Sequence, residues 1–217
     1  VKIATVTYQG IASSAIGNAG TTLNGNQFSL FRSVFSSVVK ANTLPGSGYS
    51  TQILSPSAVV GGYTFTASNQ GDATVNYLQI KWFVNGVTSS ATSVPYIIYA
   101  TNPSNTGTLG DIVATGTTAF TGSNNAYSGT IATVGLNVPG GVGTDGVKVS
   151  AGTAGARTFS VQLDLSSFSP AANISSRSVT TQLMSWTWND LTRGLTTPVA
   201  ADPSMIVAPI SGVSINQ

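Results

Sequence analysis

The chain has 217 residues, eight of them Lys or Arg and six Asp, with no Glu, His or Cys, so only 6% is charged, against about 25% in an ordinary soluble domain. Without His or Cys, the usual zinc, haem and iron–sulfur ligands, thiol nucleophiles and His-based triads are excluded within one chain. A formal net charge of +2 cannot neutralise many phosphates, which argues against nucleic-acid binding.

Val1–Tyr8 (VKIATVTY) is rich in β-branched residues and reads as a strand. Both its faces are apolar, with Val1 and Ile3 on one and Ala4, Val6 and Tyr8 on the other. Such a strand suits burial on both sides, within its own sheet or in the sheet of a neighbour. Gln9–Asn26 is loose, with Gly10, Gly17, Gly20 and Gly25 among Ser, Ala and Thr, and reads as a flexible tether. The expected organisation is an arm over residues 1–26 and one domain over 27–217. In Gln27–Lys40 (QFSLFRSVFSSVVK), Phe28, Phe31, Phe35 and Val38 recur at spacings of three and four, which predicts a short helix capped by Asn26. Its three Val leave a strand open.

From Tyr49 onward the signal is β. Tyr63, Phe65 and Ala67 alternate with Thr64, Thr66 and Ser68, and the turn Asn69–Asp72 follows. In Thr74–Val84, Leu78, Ile80, Trp82 and Val84 share one face, and Tyr77, Gln79, Lys81 and Phe83 the other. Asn85-Gly86 signals a hairpin. Val94–Thr101 is a further strand, with Pro95 placing it at an edge or at a strand start. Asp111–Thr115, Tyr127–Val138, Val147–Ala151 and Arg157–Leu165 follow. Ser178–Trp188 sets Thr180, Gln182, Met184, Trp186 and Trp188 on one side, and Ser204–Ile215 closes the chain. About ten short strands at this spacing predict an all-β fold, an Ig-like or jelly-roll β-sandwich with one short helix and an N-terminal donor strand.

The motifs carry little chemistry. Gly141–Gly146 matches G-x-G-x-x-G, but Val147-Lys148-Val149 follows where a dinucleotide site needs a helix. The six Asp are scattered, and turn capping accounts for Asp72 and Asp145. A catalytic pair or a calcium site would need tertiary proximity that spacing does not indicate. Trp186 and Trp188 read either as sandwich core or, if exposed, as a sugar-stacking platform. Lys81 reads as an outer-face residue, with a buried Asn- or Asp-paired Lys as the alternative. Asn173-Ile174-Ser175 is the single N-glycosylation sequon. No uninterrupted apolar stretch spans a membrane. A first residue of Val rather than Met is read as a processed, exported protein.

The run Tyr63–Val75 (YTFTASNQGDATV), an alternating strand, an Asn-x-Gly turn and a second alternating strand, resembles segments of TasA/camelysin-like matrix-fibre proteins and of archaeal bundling-pilus or thread subunits. The 58 Ser and Thr and low charge of the chain are similar to archaeal cell-surface filaments. The resemblance implies an extracellular or cell-surface homopolymer joined by donor-strand complementation, with no enzyme activity and no cofactor. The interface residues are then Val1, Ile3, Ala4, Val6 and Tyr8, and Asn173 is a candidate glycan site. The alternatives are an S-layer or viral coat subunit with a jelly roll, and a carbohydrate-binding or adhesin domain using Trp186 and Trp188.

Overall fold

The computed structural model describes residues 33–41, 56–89, 93–101, 109–123, 126–137, 146–174, 176–190, 199–200, 210–211 and 215–216. The expected arm and tether, residues 1–26, lie outside this set. The strands in chain order are β1 (Phe35–Lys40), β2 (Ala58–Ala67), β3 (Ala73–Asn85), β4 (Val87–Ser89) and β5 (Ser93–Ala100). Next come β6 (Asp111–Ser123), β7 (Ala126–Gly129), β8 (Ala132–Gly135), β9 (Val147–Val149) and β10 (Arg157–Leu163). The last are β11 (Phe168–Pro170), β12 (Ser178–Asp190), β13 (Val199–Ala200), β14 (Ile210–Ser211) and β15 (Ile215–Asn216).

The chain is all-β, as its patterning predicts. One layer runs β1-β2-β10-β5-β6 and the other β6-β7-β3-β12-β13, every neighbour antiparallel. β6 belongs to both: its first part pairs with β5, and Phe120–Ser123 pair with β7. β7, β8 and β9 line one edge of β3 in succession, while β12 covers the other. β4 and β11 form a separate two-stranded sheet. The neighbour order β1-β2-β10-β5 against β3-β12-β13 matches the A-B-E-D and C-F-G order of immunoglobulin-like sandwiches.

The core lies between the layers. Leu78, Ile80, Trp82 and Val84 of β3 are fully buried and face Tyr63 and Phe65 of β2 and Phe159, Val161 and Leu163 of β10, also fully buried. Each large apolar side chain contributes about 1.5–3 kcal/mol of burial. Edge-to-face aromatic contacts link the layers, Phe65 meeting Trp186 at 5.6 Å and Phe35 meeting Trp188 at 5.6 Å, while within the first layer Phe65 meets Phe159 at 5.2 Å. The layers approach closely at Gly61, where any Cβ would collide with Thr181 Oγ1.

Three expectations are corrected. The predicted helix over Gln27–Lys40 is overturned for Phe35–Lys40, which is strand β1; residues 27–32 lie outside the described set. A bulge at Ser36 produces the helix-like spacing, because Phe35 pairs with Ala67 and Ser37 with Thr66. The extra residue brings Phe35 and Val38, three apart, to the same buried face. Asn85-Gly86 does turn, with Gly86 at φ 75, but the following β4 pairs with β11 rather than with β3, so no hairpin forms. On β12, Val179, Thr181 and Leu183 point inward, not Thr180, Gln182 and Met184. Leu183 pairs with Ile80 and Ser185 with Gln79, so Met184 is the extra residue of a bulge that restores Trp186 and Trp188 to the core.

Candidate functional site

The described surface offers two candidate sites: the outer edges of the layers and the outer face of β3. A sheet edge carries unpaired N–H and C=O groups and is a template for strand addition. Among the described residues, β1 pairs only with β2, and its Val39 is 50% exposed. Among the described residues the outer edge of β12 is met at Thr187 and Trp188 by β13, at Gln182 and Leu183 by β14, and at Ser178 and Val179 by β15. β12 itself is 13 residues long. β14 also lies beside β1, so the two edges flank the same side of the sandwich.

The chain enters β1 from an anchored point. The Ser33 backbone N–H donates to Asp190 Oδ2 at 3.1 Å, and Ser33 Oγ donates to the Gly71 carbonyl at 2.6 Å. Asp190 ends β12 and is fully buried. Ser33, the first described residue, is therefore fixed at one end of β12.

The outer face of β3 presents Tyr77, Gln79, Lys81 and Phe83, all half-buried, as the alternation predicts. Gln79 is held from both sides: its Oε1 accepts from Ser185 Oγ at 2.5 Å, and its Nε2 donates to Thr133 Oγ1 at 3.3 Å. Among the described residues Lys81 meets no carboxylate; its Nζ sits 5.0 Å from the centre of the Phe83 ring. A groove of about 240 Å³ opens between Tyr77, Gln79, Thr133, Ser185, Trp186 and Thr187. Nothing in the alternation alone announces this groove, because it needs β8, β3 and β12 side by side.

The remaining sequence candidates are placed as follows. Val1, Ile3, Ala4, Val6 and Tyr8 lie outside the described residues. Asn173 is exposed in the turn between β11 and β12 with a left-handed φ of 62, a conformation that Asn tolerates. Trp186 and Trp188 are each 3% exposed, so they are core and offer no platform for a sugar. Gly146 leads into strand β9, not into a helix, and Gly141–Asp145 lie outside the described residues. Asp72 bonds Lys148 at 2.6 Å and accepts from the Ala151 N–H at 2.9 Å. The Lys148 hydrogen bond, then that of Ala151, holds its carboxyl below the usual carboxylate value. Asp164 accepts from the N–H and Oγ of Ser166, a local turn contact. Among the described residues no three carboxylates gather to hold a metal ion, and no helix is long and apolar enough to cross a membrane.

No protein-family model and no curated protein matches the chain. Among solved structures, that of AvmM, a protein that catalyses macrocyclization in alchivemycin A biosynthesis, aligns over 87% of this chain and 87% of its own. The identity is 9% and the TM-score 0.27, and a likeness of that degree carries no argument about fold or chemistry.

Proposed function

We propose that the chain is a structural subunit of an extracellular filament, pilus or thread, that assembles by strand addition. The arm Val1–Tyr8 of one copy completes a sheet edge of the next. The observation that carries this reading is the outer edge of β12, a 13-residue strand met among the described residues in short pieces. A continuous arm would replace such pieces with an uninterrupted ladder, each backbone hydrogen bond contributing about 0.5–1.5 kcal/mol net. Burying Val1, Ile3, Val6 and Tyr8 would add about 1.5–3 kcal/mol for each large side chain before ordering costs. Donation from copy to copy that does not close on itself yields a fibre.

In this reading the partners are identical subunits, the setting is the surface of an archaeal cell, and Asn173, exposed in its turn, carries the N-glycan. No catalytic residue or cofactor is assigned. The immunoglobulin-like strand order supports a pilus-type module over the jelly-roll coat or S-layer alternative. Deleting Val1–Gln9 tests the proposal: the expected product is a folded, less stable monomer that forms no fibres in negative-stain micrographs. Fibres from the truncated chain refute strand donation by the arm, and closed shells or planar lattices from the intact chain establish the coat or S-layer alternative.

A further inference from the structure

We propose that the C-terminal segment 199–216 is a placeholder on the outer edge of β12, displaced on assembly by the arm of a second copy; this inference rests on the strand-addition reading above. The segment pairs antiparallel along that edge, with Ala200 opposite Thr187, Ile210 opposite Leu183 and Ile215 opposite Val179. Its register breaks twice. Nine residues, 201–209, separate β13 from β14, yet the β12 positions that those strands pair with are separated by three, 184–186. Three residues, 212–214, separate β14 from β15, against two, 180–181, on β12. The composition of the segment suits the breaks. Pro203 and Pro209 fall in the first and cannot donate a ladder hydrogen bond, and Gly212 falls in the second, where it has no side chain to pack.

Such a strand is held by proximity more than by fit. Only residues 191–198 separate the end of β12 from β13, so the segment covers the edge without the entropy that two associating molecules lose. An uncovered edge is a template for unselective pairing. Val1–Tyr8 has the opposite properties. Its eight residues include no Pro or Gly, and Val1, Ile3, Thr5, Val6 and Thr7 are β-branched. It can pair without a break over eight positions, whereas β13, β14 and β15 together engage six. Among the described residues, positions 184–186 meet no strand on that edge, which gives an incoming arm a place to begin before either flanking ladder opens. Ladders of two residues then give way one at a time. The C-terminal segment thereby governs assembly: it guards the edge of the free subunit and yields to a longer continuous strand.

The test locks the segment in place. Gln182 and Ser211 are register partners and the chain has no Cys, so Gln182→Cys combined with Ser211→Cys supplies a single disulfide. Opposed Cα atoms in an antiparallel pair lie about 4.5–5.5 Å apart, a spacing that a disulfide accepts. Fibre formation by the full chain is followed by light scattering and negative-stain microscopy. The oxidised variant, its bond verified by mass spectrometry, is expected to assemble about tenfold more slowly than the same protein in dithiothreitol, because the bond holds the ladder closed. The unsubstituted chain is expected to assemble alike in both conditions. Should the first pair not fold, Ser178→Cys with Asn216→Cys, at the last ladder, takes its place. Equal rates for the oxidised and reduced variant, or two cysteines that do not join under oxidant, overturn the placeholder role alone. No fibres from the unsubstituted chain, or fibres that survive deletion of Val1–Gln9, overturn the strand-addition reading and this inference with it.

Discussion

Tyr63 joins the two layers through a polar contact with Thr181, and its removal is a sharp test of how they are packed. Its hydroxyl donates to Thr181 Oγ1 at 3.0 Å in the middle of the core, where both residues are fully buried. Tyr63→Phe leaves the Thr181 hydroxyl buried without that bond, a cost of about 1–3 kcal/mol. Adding Thr181→Val removes the orphaned group, so the double variant is expected to recover part of the loss. The same contact makes the effect depend on pH. Burial pushes the Tyr63 phenol up to about 12, against the opposing hydrogen bonds from Thr181 and the Leu183 backbone, from 10.0 when unfolded. Because the folded value is raised, this group's stabilising contribution is whole below pH 10 and is lost as pH rises from 10 through about 12. At pH 11 that loss is about 1 kcal/mol for the native protein and nothing for Tyr63→Phe. Urea unfolding of both proteins at pH 7 and pH 11 should therefore show the gap between them shrinking by about that amount. An identical gap at both pH values would mean that Tyr63 is not held in a dry contact between the layers.

Other consequences follow from the same packing. Gly61→Ala places a methyl group against Thr181 Oγ1, and denaturant unfolding should show a loss of about 1–3 kcal/mol, the usual cost of overpacking. Deleting Met184 should be tolerated, because Leu183 and Ser185 already face Ile80 and Gln79 and a regular ladder would keep Trp186 inside; near-native tryptophan fluorescence is the readout. Deleting Thr187 instead would turn Trp188 toward solvent and should red-shift that emission. Asp72→Asn should cost no more than about 1 kcal/mol, since its partner Lys148 is about half exposed. As the folded Asp72 value is depressed, its contribution is present above 3.8 and lost as pH falls through the lower folded value, so the variant's deficit at pH 7 should vanish in strong acid in a thermal melt.

The contrast between β3 and β12 shows what can be read from the chain. β3 pairs with β12 over a long stretch, and its alternation from Tyr77 to Val84 is unbroken, so its inner and outer faces follow from the order of residues alone. β12 is equally long, yet a single added residue at Met184 reverses the faces of everything before it. The same device at Ser36 makes a strand imitate the spacing of a helix. A bulge leaves almost no local mark, because it is selected by the register of the partner strand. The Asn-Gly turn was equally legible as a turn, but where the chain goes afterwards depended on β11, more than eighty residues downstream in the ladder from Val87 to Pro170.

The amino-acid order by itself determined that the chain is all-β, that its apolar faces alternate, and that neither His nor Cys chemistry is available, because period-two patterning and composition are local properties. Only the tertiary structure decided which strands are neighbours, that Trp186 and Trp188 are core, that Gln79 is clamped between Ser185 and Thr133, and that β13, β14 and β15 meet the outer edge of β12. Each of these is a meeting of segments distant in the chain, and the burial and backbone hydrogen bonding that select such meetings are summed over the whole sandwich rather than written at any one position.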